Sequence, residues 1–82
     1  MVLEIVSPDD PDRDLVTKRA EYAAAGIAEY WIVNPIDETI VVLTLADDTN
    51  YREHGLFRRG MTASSLLVPE LLVNIDQVFN AR

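Results

Sequence analysis

Glu4, an acid set inside the aliphatic run "VLEIV" at residues 2–6, is the first residue of this chain equipped for chemistry. A carboxylate in such a strand is costly to bury unless it is paired, hydrogen-bonded or bound to a cation. Lys18 is within reach on simple geometry. Glu4 stands roughly 10 Å back from the end of its strand at about 3.3 Å per residue, and Lys18 lies about 6 Å into a helix capped at Asp14. If that helix folds back beside the strand, the lysine stem closes the difference. The arithmetic allows the two a shared pocket. The same two residues also make an ordinary structural ion pair.

The neighbours of this pair divide in the same way. Asp14 and Lys18 stand at i and i+4, the spacing of a helix-surface ion pair, and Asp14 also suits an N-cap. Tyr22 continues the stripe by one more step, so its hydroxyl either contacts the site or belongs to half-buried packing. Tyr30 and Trp31 alternate to opposite sides of a strand, which places one in a core and the other at an interface, with base stacking as the functional alternative. His54, the only histidine, stands between Glu53 and Gly55 in a polar strand, without a second histidine to share a metal, and reads as a surface residue. Arg58 and Arg59 precede Gly60 in a turn, exposed and able to touch a phosphate.

The elements that must position these residues follow from pattern and punctuation. "VLEIV" is a short strand, ended by the prolines of "SPDDP". Either Asp12 or Asp14 caps a helix that runs to about Ala25, rich in alanine, with Gly26 as its C-cap. "AEYWIVNP" is a buried strand at 29–33 closed at Asn34-Pro35, and it forms an antiparallel hairpin with a strand at 39–45. "YREHGLF" at 51–57 and "MTASSLL" at 61–67 continue the meander. A terminal helical turn follows, in which Asn74 and Gln77 have capping spacing. A strand, crossover helix and second strand pair in parallel. The expected architecture is therefore α/β with a mixed sheet: strand, helix, four-stranded meander and helical turn, in one domain over 1–82. One major helix leaves the opposite face of the sheet with little cover, which implies a homo-oligomer or a further segment.

Composition restricts the function classes. Fourteen acidic against seven basic residues give a net charge of −7, the wrong sign for non-specific coating of nucleic acid. It leaves room for a nuclease whose acids hold metal ions at the phosphate. The chain has no cysteine, so disulfides and thiolate metal sites are excluded. No apolar run approaches the length of a membrane span, and no signal-peptide pattern opens the sequence. The expected setting is soluble and cytoplasmic.

Taken together, "LEIVSPDDPDRDLVTKRAEYAAAGIAEYWIVNP" resembles the central signature of the Uma-type restriction endonuclease family, part of the PD-(D/E)XK nuclease superfamily. The residues that match are Glu4, Ser7, Pro8, Asp14, Lys18, Tyr22, Gly26, Glu29, Tyr30, Trp31 and Pro35. In the tail, Gly60, Pro69, Leu71 and Phe79 are similar to the family's C-terminal segment. The resemblance implies a restriction-endonuclease-like fold and metal-dependent hydrolysis of DNA phosphodiesters. Glu4 would hold Mg²⁺ or Mn²⁺, with the Ile5 backbone carbonyl as a further ligand. Lys18 would neutralise developing charge or position the attacking water. The superfamily's usual lysine position, two residues after the acid, is Val6 here, and the family pattern moves the lysine to the helix. Asp14 and Tyr22 are secondary candidates.

One departure matters. The family's other metal-binding acid comes from an upstream strand that has no counterpart in these residues, and Asp9, Asp10 and Asp12 do not occupy its place. The expectation is a partial domain, whether a short relative, a fragment or a decayed copy. Its competing role is a catalytically inactive module for homo-oligomerisation or protein interaction.

Overall fold

The structure, a computed structural model, describes residues 1–6, 11–47 and 50–80, and of residues 11–16 the backbone alone. The order of elements is β1 (Val2–Ile5), α1 (Pro11–Ala24), β2 (Glu29–Asn34), β3 (Thr39–Leu45), β4 (Tyr51–Phe57), β5 (Thr62–Ser64), β6 (Leu72–Asn74) and α2 (Ile75–Asn80). Four strands form the main sheet in the order β1-β2-β3-β4. β1 lies parallel to β2, with Glu4 opposite Ile32, and the β2–β3 and β3–β4 pairs are antiparallel. The mixed sheet expected from the crossover is therefore present.

Local chemistry accounts for the joints. α1 begins at Pro11, whose missing N–H is harmless in a first turn. Asp12 and Asp14 thus fall inside that turn rather than at its cap, because Pro11 has already entered the helix. The helix closes at Gly26, where φ is +75°. The Ile27 N–H donates to Tyr22 O and the Gly26 N–H to Ala23 O, both at 3.0 Å, the pair of bonds that a left-handed closing residue permits. Between β2 and β3 the Asn34 side-chain oxygen accepts from the Ile36 and Asp37 N–H groups at 2.9 and 3.2 Å, which turns the chain immediately after β2. At α2 the Gln77 N–H donates to Asn74 Oδ1 at 3.0 Å, the cap anticipated from the spacing.

The alternation of β2 divides the core in two. Trp31 and Val33 face one side, with Ile40, Val42, Ala63, Ile75 and Phe79. Tyr30 and Ile32 face the other, with Val6, Leu43 and the partly buried Tyr22 of α1. Tyr30 and Trp31 are both fully inside, so neither serves the interface expected for one of them. Each face has its own cover, α1 on one and the C-terminal segment on the other.

Two expectations need correction. β5 does not extend the meander; it pairs antiparallel with β6 in a separate two-stranded sheet. The reason lies just after it, where the N–H groups of Leu66 and Leu67 bond to the Glu29 carboxylate instead of a neighbouring strand. The chain is thereby drawn across the sheet face, and the small side chain of Ala63 allows close contact there. That course also covers much of the face expected to be bare. Uncovered apolar surface remains on the outer strand β1, where Leu3 and Ile5 are 54% and 66% exposed.

Candidate active site

β1 and α1 bring the opening residues together. The Lys18 ammonium donates to Glu4 Oε2 at 3.0 Å, and the Tyr22 hydroxyl donates to Glu4 Oε1 at 2.5 Å. Lys18 and Tyr22 are one helical step apart on α1, so a single face of the helix serves both carboxylate oxygens. The strand fixes the acid because its side chain alternates toward α1 while Leu3 and Ile5 point away. Closure of α1 at Gly26 and the return into β2 hold the helix in that register.

The electrostatics follow from these contacts. The Tyr22 hydrogen bond, then the Lys18 bond and charge, hold the Glu4 carboxyl below its usual range against the opposing effect of burial. Glu4 is consequently ionised at neutral pH. Donation to that carboxylate raises the Tyr22 phenol, with burial and the Glu4 charge acting in the same direction. Burial, reinforced by the Glu4 charge, pushes Tyr30 up to about 12. Tyr30 meets the ring of Tyr22 edge-on at 5.0 Å and that of Tyr51 at 5.8 Å. The Tyr51 hydroxyl donates to Ile27 O at 2.7 Å and so ties β4 to the end of α1.

Each Glu4 oxygen has spent one lone pair and keeps another, and the side chain is 19% exposed, so a cation has access to it. The Val6 N–H bonds to Val33 O at 2.8 Å, and bonding alternates along a parallel ladder. Ile5 therefore turns its carbonyl to the outer edge of β1, away from β2. Among the described residues no group of three or more His, Cys, Asp or Glu side chains converges on one point. Glu4 and the Ile5 carbonyl would supply at most part of a metal's coordination shell.

The other candidates separate from this centre. The Asp14 backbone lies on α1 one step before Lys18, while its side chain falls outside the described residues, as do Ser7, Pro8, Asp9 and Asp10 altogether. His54 is exposed on β4, as the sequence suggested; the β3–β4 register skips it, pairing Val42 with Gly55 and Leu43 with Glu53. Arg59 donates to Glu38 at 2.6 Å and Asn80 at 2.8 Å, fastening the β2–β3 turn to α2.

Sequence reasoning missed the most heavily bonded acid. Glu29 is completely buried and accepts from Trp31 Nε1 at 2.8 Å, Ser65 Oγ at 2.6 Å, and the N–H groups of Leu66 and Leu67 at 2.9 and 3.2 Å. Burial alone would raise this carboxyl, but the bonds from Ser65, Trp31, Leu67 and Leu66 outweigh it and hold the group below its usual range. Four donors around a carboxylate leave no room for a ligand, so Glu29 is a structural anchor. The available signal was an acid opening the strand "EYWIVN", which otherwise reads as wholly buried.

Solved structures agree on the fold: a protein described as a putative nuclease belonging to DUF820 from Anabaena variabilis ATCC 29413 superposes with a TM-score of 0.63 at 22% identity, covering 95% of this chain and 42% of that one. This chain thus spans less than half the length of that neighbour. The family model Uma2, "Putative restriction endonuclease", matches residues 1–76. The chain belongs to the Uma2 family. No curated protein matches it.

Proposed function

We propose that this chain carries the carboxylate and lysine of a divalent-metal-dependent endonuclease site acting on DNA phosphodiesters. The observation that supports this most directly is the convergence of Lys18 and Tyr22, from one face of α1, on Glu4 of β1. Glu4 and the Ile5 carbonyl would hold Mg²⁺ or Mn²⁺. When bound, such a metal polarises the phosphodiester and lowers the pKa of a coordinated water. Tyr22 fixes the rotation of the acid by bonding one of its oxygens. Lys18 keeps a positive charge at the site, where negative charge develops on a phosphate undergoing attack. Asp14 is a secondary candidate on the same stripe of α1.

The test is cleavage of supercoiled plasmid and single-stranded DNA with Mg²⁺ or Mn²⁺, using wild type, Glu4→Ala and Lys18→Ala at matched purity. Cutting by the wild type that falls at least 100-fold in both variants is expected, on the order of the loss of a metal ligand or a charge-stabilising donor. Equal cutting by all three proteins would overturn the reading.

A second reading has its own observation. Met1, Leu3 and Ile5 border an apolar cleft of about 370 Å³ shared with Trp31, Val33 and Leu71. Covered by a second copy, this face would make the chain a homo-oligomerisation or protein-interaction module, active or not. Size-exclusion chromatography with light scattering decides it: a dimer is expected, and a monomer at high micromolar concentration with and without Mn²⁺ would remove this reading.

A further inference from the structure

Arg58 and Arg59 are neighbours in the turn after β4, yet their side chains go to opposite faces of the sheet. Phe57 packs against the Trp31 core, and Arg59, two residues on, turns to the same side. There its guanidinium is spent on Glu38, Asn80 and Asp76. Arg58 turns the other way, with Leu56, and its side chain makes no hydrogen bond or ion pair among the described residues. It lines a cleft of about 320 Å³ together with Asp37, Thr39 and Leu56.

Strand register connects this cleft to the Glu4 face. Glu4 pairs with Ile32, Ile32 with Val41 and Val41 with Leu56, and paired residues share a face, so the four form one row across the main sheet. Thr39 and Arg58 stand one alternation further on: Thr39 is opposite Asn34, and Arg58 follows Phe57, the partner of Ile40. From Glu4 to Leu56 the row spans about 14 Å, three inter-strand spacings of about 4.8 Å. Its cover thins along the way. Ile32 is buried, Val41 is half-buried and Leu56 is 37% exposed, so the face is open at β4.

The rim of the cleft is held in shape from behind. Glu38, between the lining residues Asp37 and Thr39, has φ +56°, a sparsely populated conformation for a residue other than glycine. Arg59 clamps its carboxylate at 2.6 Å. Asn34 Nδ2 donates to Asp37 Oδ2 at 3.3 Å, which draws that acid toward the turn. Arg58 is left to set the charge of the cleft, and its planar fork of N–H donors matches two oxygens of a phosphate. Thr39 adds a hydroxyl, and Leu56 an apolar floor.

We propose that the Arg58 cleft is a phosphate subsite for a DNA strand whose cleaved phosphodiester lies at Glu4. At about 3.4 Å per nucleotide along a duplex, about 14 Å separates the two phosphates by roughly four nucleotides. The strand then crosses the sheet from β1 to β4. This rests on the reading of Glu4 as the cleavage site and adds to it a direction for the substrate; Arg58 is a positioning residue, too far from Glu4 to touch the reacting atoms.

The test is binding of a fluorescent DNA duplex, followed by anisotropy without metal over a range of salt, for wild type, Arg58→Ala, Arg58→Lys and Arg52→Ala. Arg52 is exposed and pairs with Thr44 on the opposite face, so its loss removes the same charge away from the cleft. Arg58→Ala is expected to weaken binding about 5- to 10-fold and to lower the slope of log affinity against log salt by about 0.9, one phosphate contact, while Arg52→Ala stays within about twofold of wild type. Arg58→Lys recovers part of the loss, since the charge remains and the fork does not. Equal losses for Arg58→Ala and Arg52→Ala, an unchanged Arg58→Ala, or no binding by wild type would each overturn the proposal. Inorganic phosphate is the second probe: if it stabilises wild type but not Arg58→Ala while DNA affinity is the same for both, the cleft takes free phosphate and the DNA assignment falls. Because binding is measured without metal, a protein that grips DNA through Arg58 and never cuts it sinks only the nuclease reading, and one that cuts DNA but binds it without regard to Arg58 sinks only this proposal.

Discussion

Replacing Glu29 with glutamine tests the account of how the C-terminal segment is held. The carboxylate accepts four bonds in a completely buried position, two of them from consecutive backbone N–H groups at Leu66 and Leu67. Glutamine keeps the shape but offers one acceptor oxygen, and its NH₂ group must face either the backbone pair or the Trp31 and Ser65 donors. Ser65 can reorient and accept; the indole N–H cannot. At least one buried donor is orphaned, and the bonds that remain lose their charge assistance. An orphaned donor costs about 1–3 kcal/mol and a bond to a charged acceptor contributes about 1.5–3 kcal/mol, so a net loss of about 3 kcal/mol is expected. In a chain of this size that lowers Tm by about 15 °C. Trp31 is the only tryptophan and donates to Glu29 itself, so its fluorescence reports the melt from the site of the change. The pH dependence has a definite sign. The folded carboxyl lies below its usual 4.5, so the stabilisation is complete above that pH and disappears as acid protonates the folded group. Wild type should therefore lose its advantage over Glu29→Gln as the pH falls below about 4.5. Melting of the variant within about 3 °C of wild type at pH 7 would refute the anchor, since even one typical bond is worth more.

Two further changes probe the frame around the site. Gly55→Ala would place a Cβ 2.5 Å from Phe57 Cζ and 2.7 Å from Cε2, so the half-buried ring must move; a loss of about 1–3 kcal/mol by urea titration is expected, and it should shrink when Phe57→Leu is added. Asn74→Ala removes the cap of α2, which buries Ile75 and Phe79, and should cost about 1 kcal/mol with Asn74→Asp close to wild type.

Much of the fold was written in short stretches. Asn34 turned the hairpin, Gly26 closed α1 and Asn74 capped α2, because each of these depends on residues a few positions apart. The Glu4–Lys18 pairing was also legible, since a strand, a turn and a helix of known rise leave little freedom over so short a separation. Tyr22 was visible only as the next residue on the stripe, and its role as a donor to Glu4 required the helix to be set down at a particular height.

What the tertiary structure alone decided lies in contacts between distant residues. Glu29 bonds to Ser65 across 36 positions, and nothing near either residue announces the other. That contact turns the chain off the sheet edge, makes β5 a partner of β6, and covers a face that local patterns left bare. Tyr30 and Trp31, one apolar pair in the sequence, became the hearts of two separate cores through strand alternation and the different covers on each side. Local propensities determine which elements form because they act through the backbone of the element itself. Which acid anchors and which acid remains open to a ligand depends on how many donors the folded chain brings to each: four at Glu29, and at Glu4 two, with lone pairs and solvent access left over.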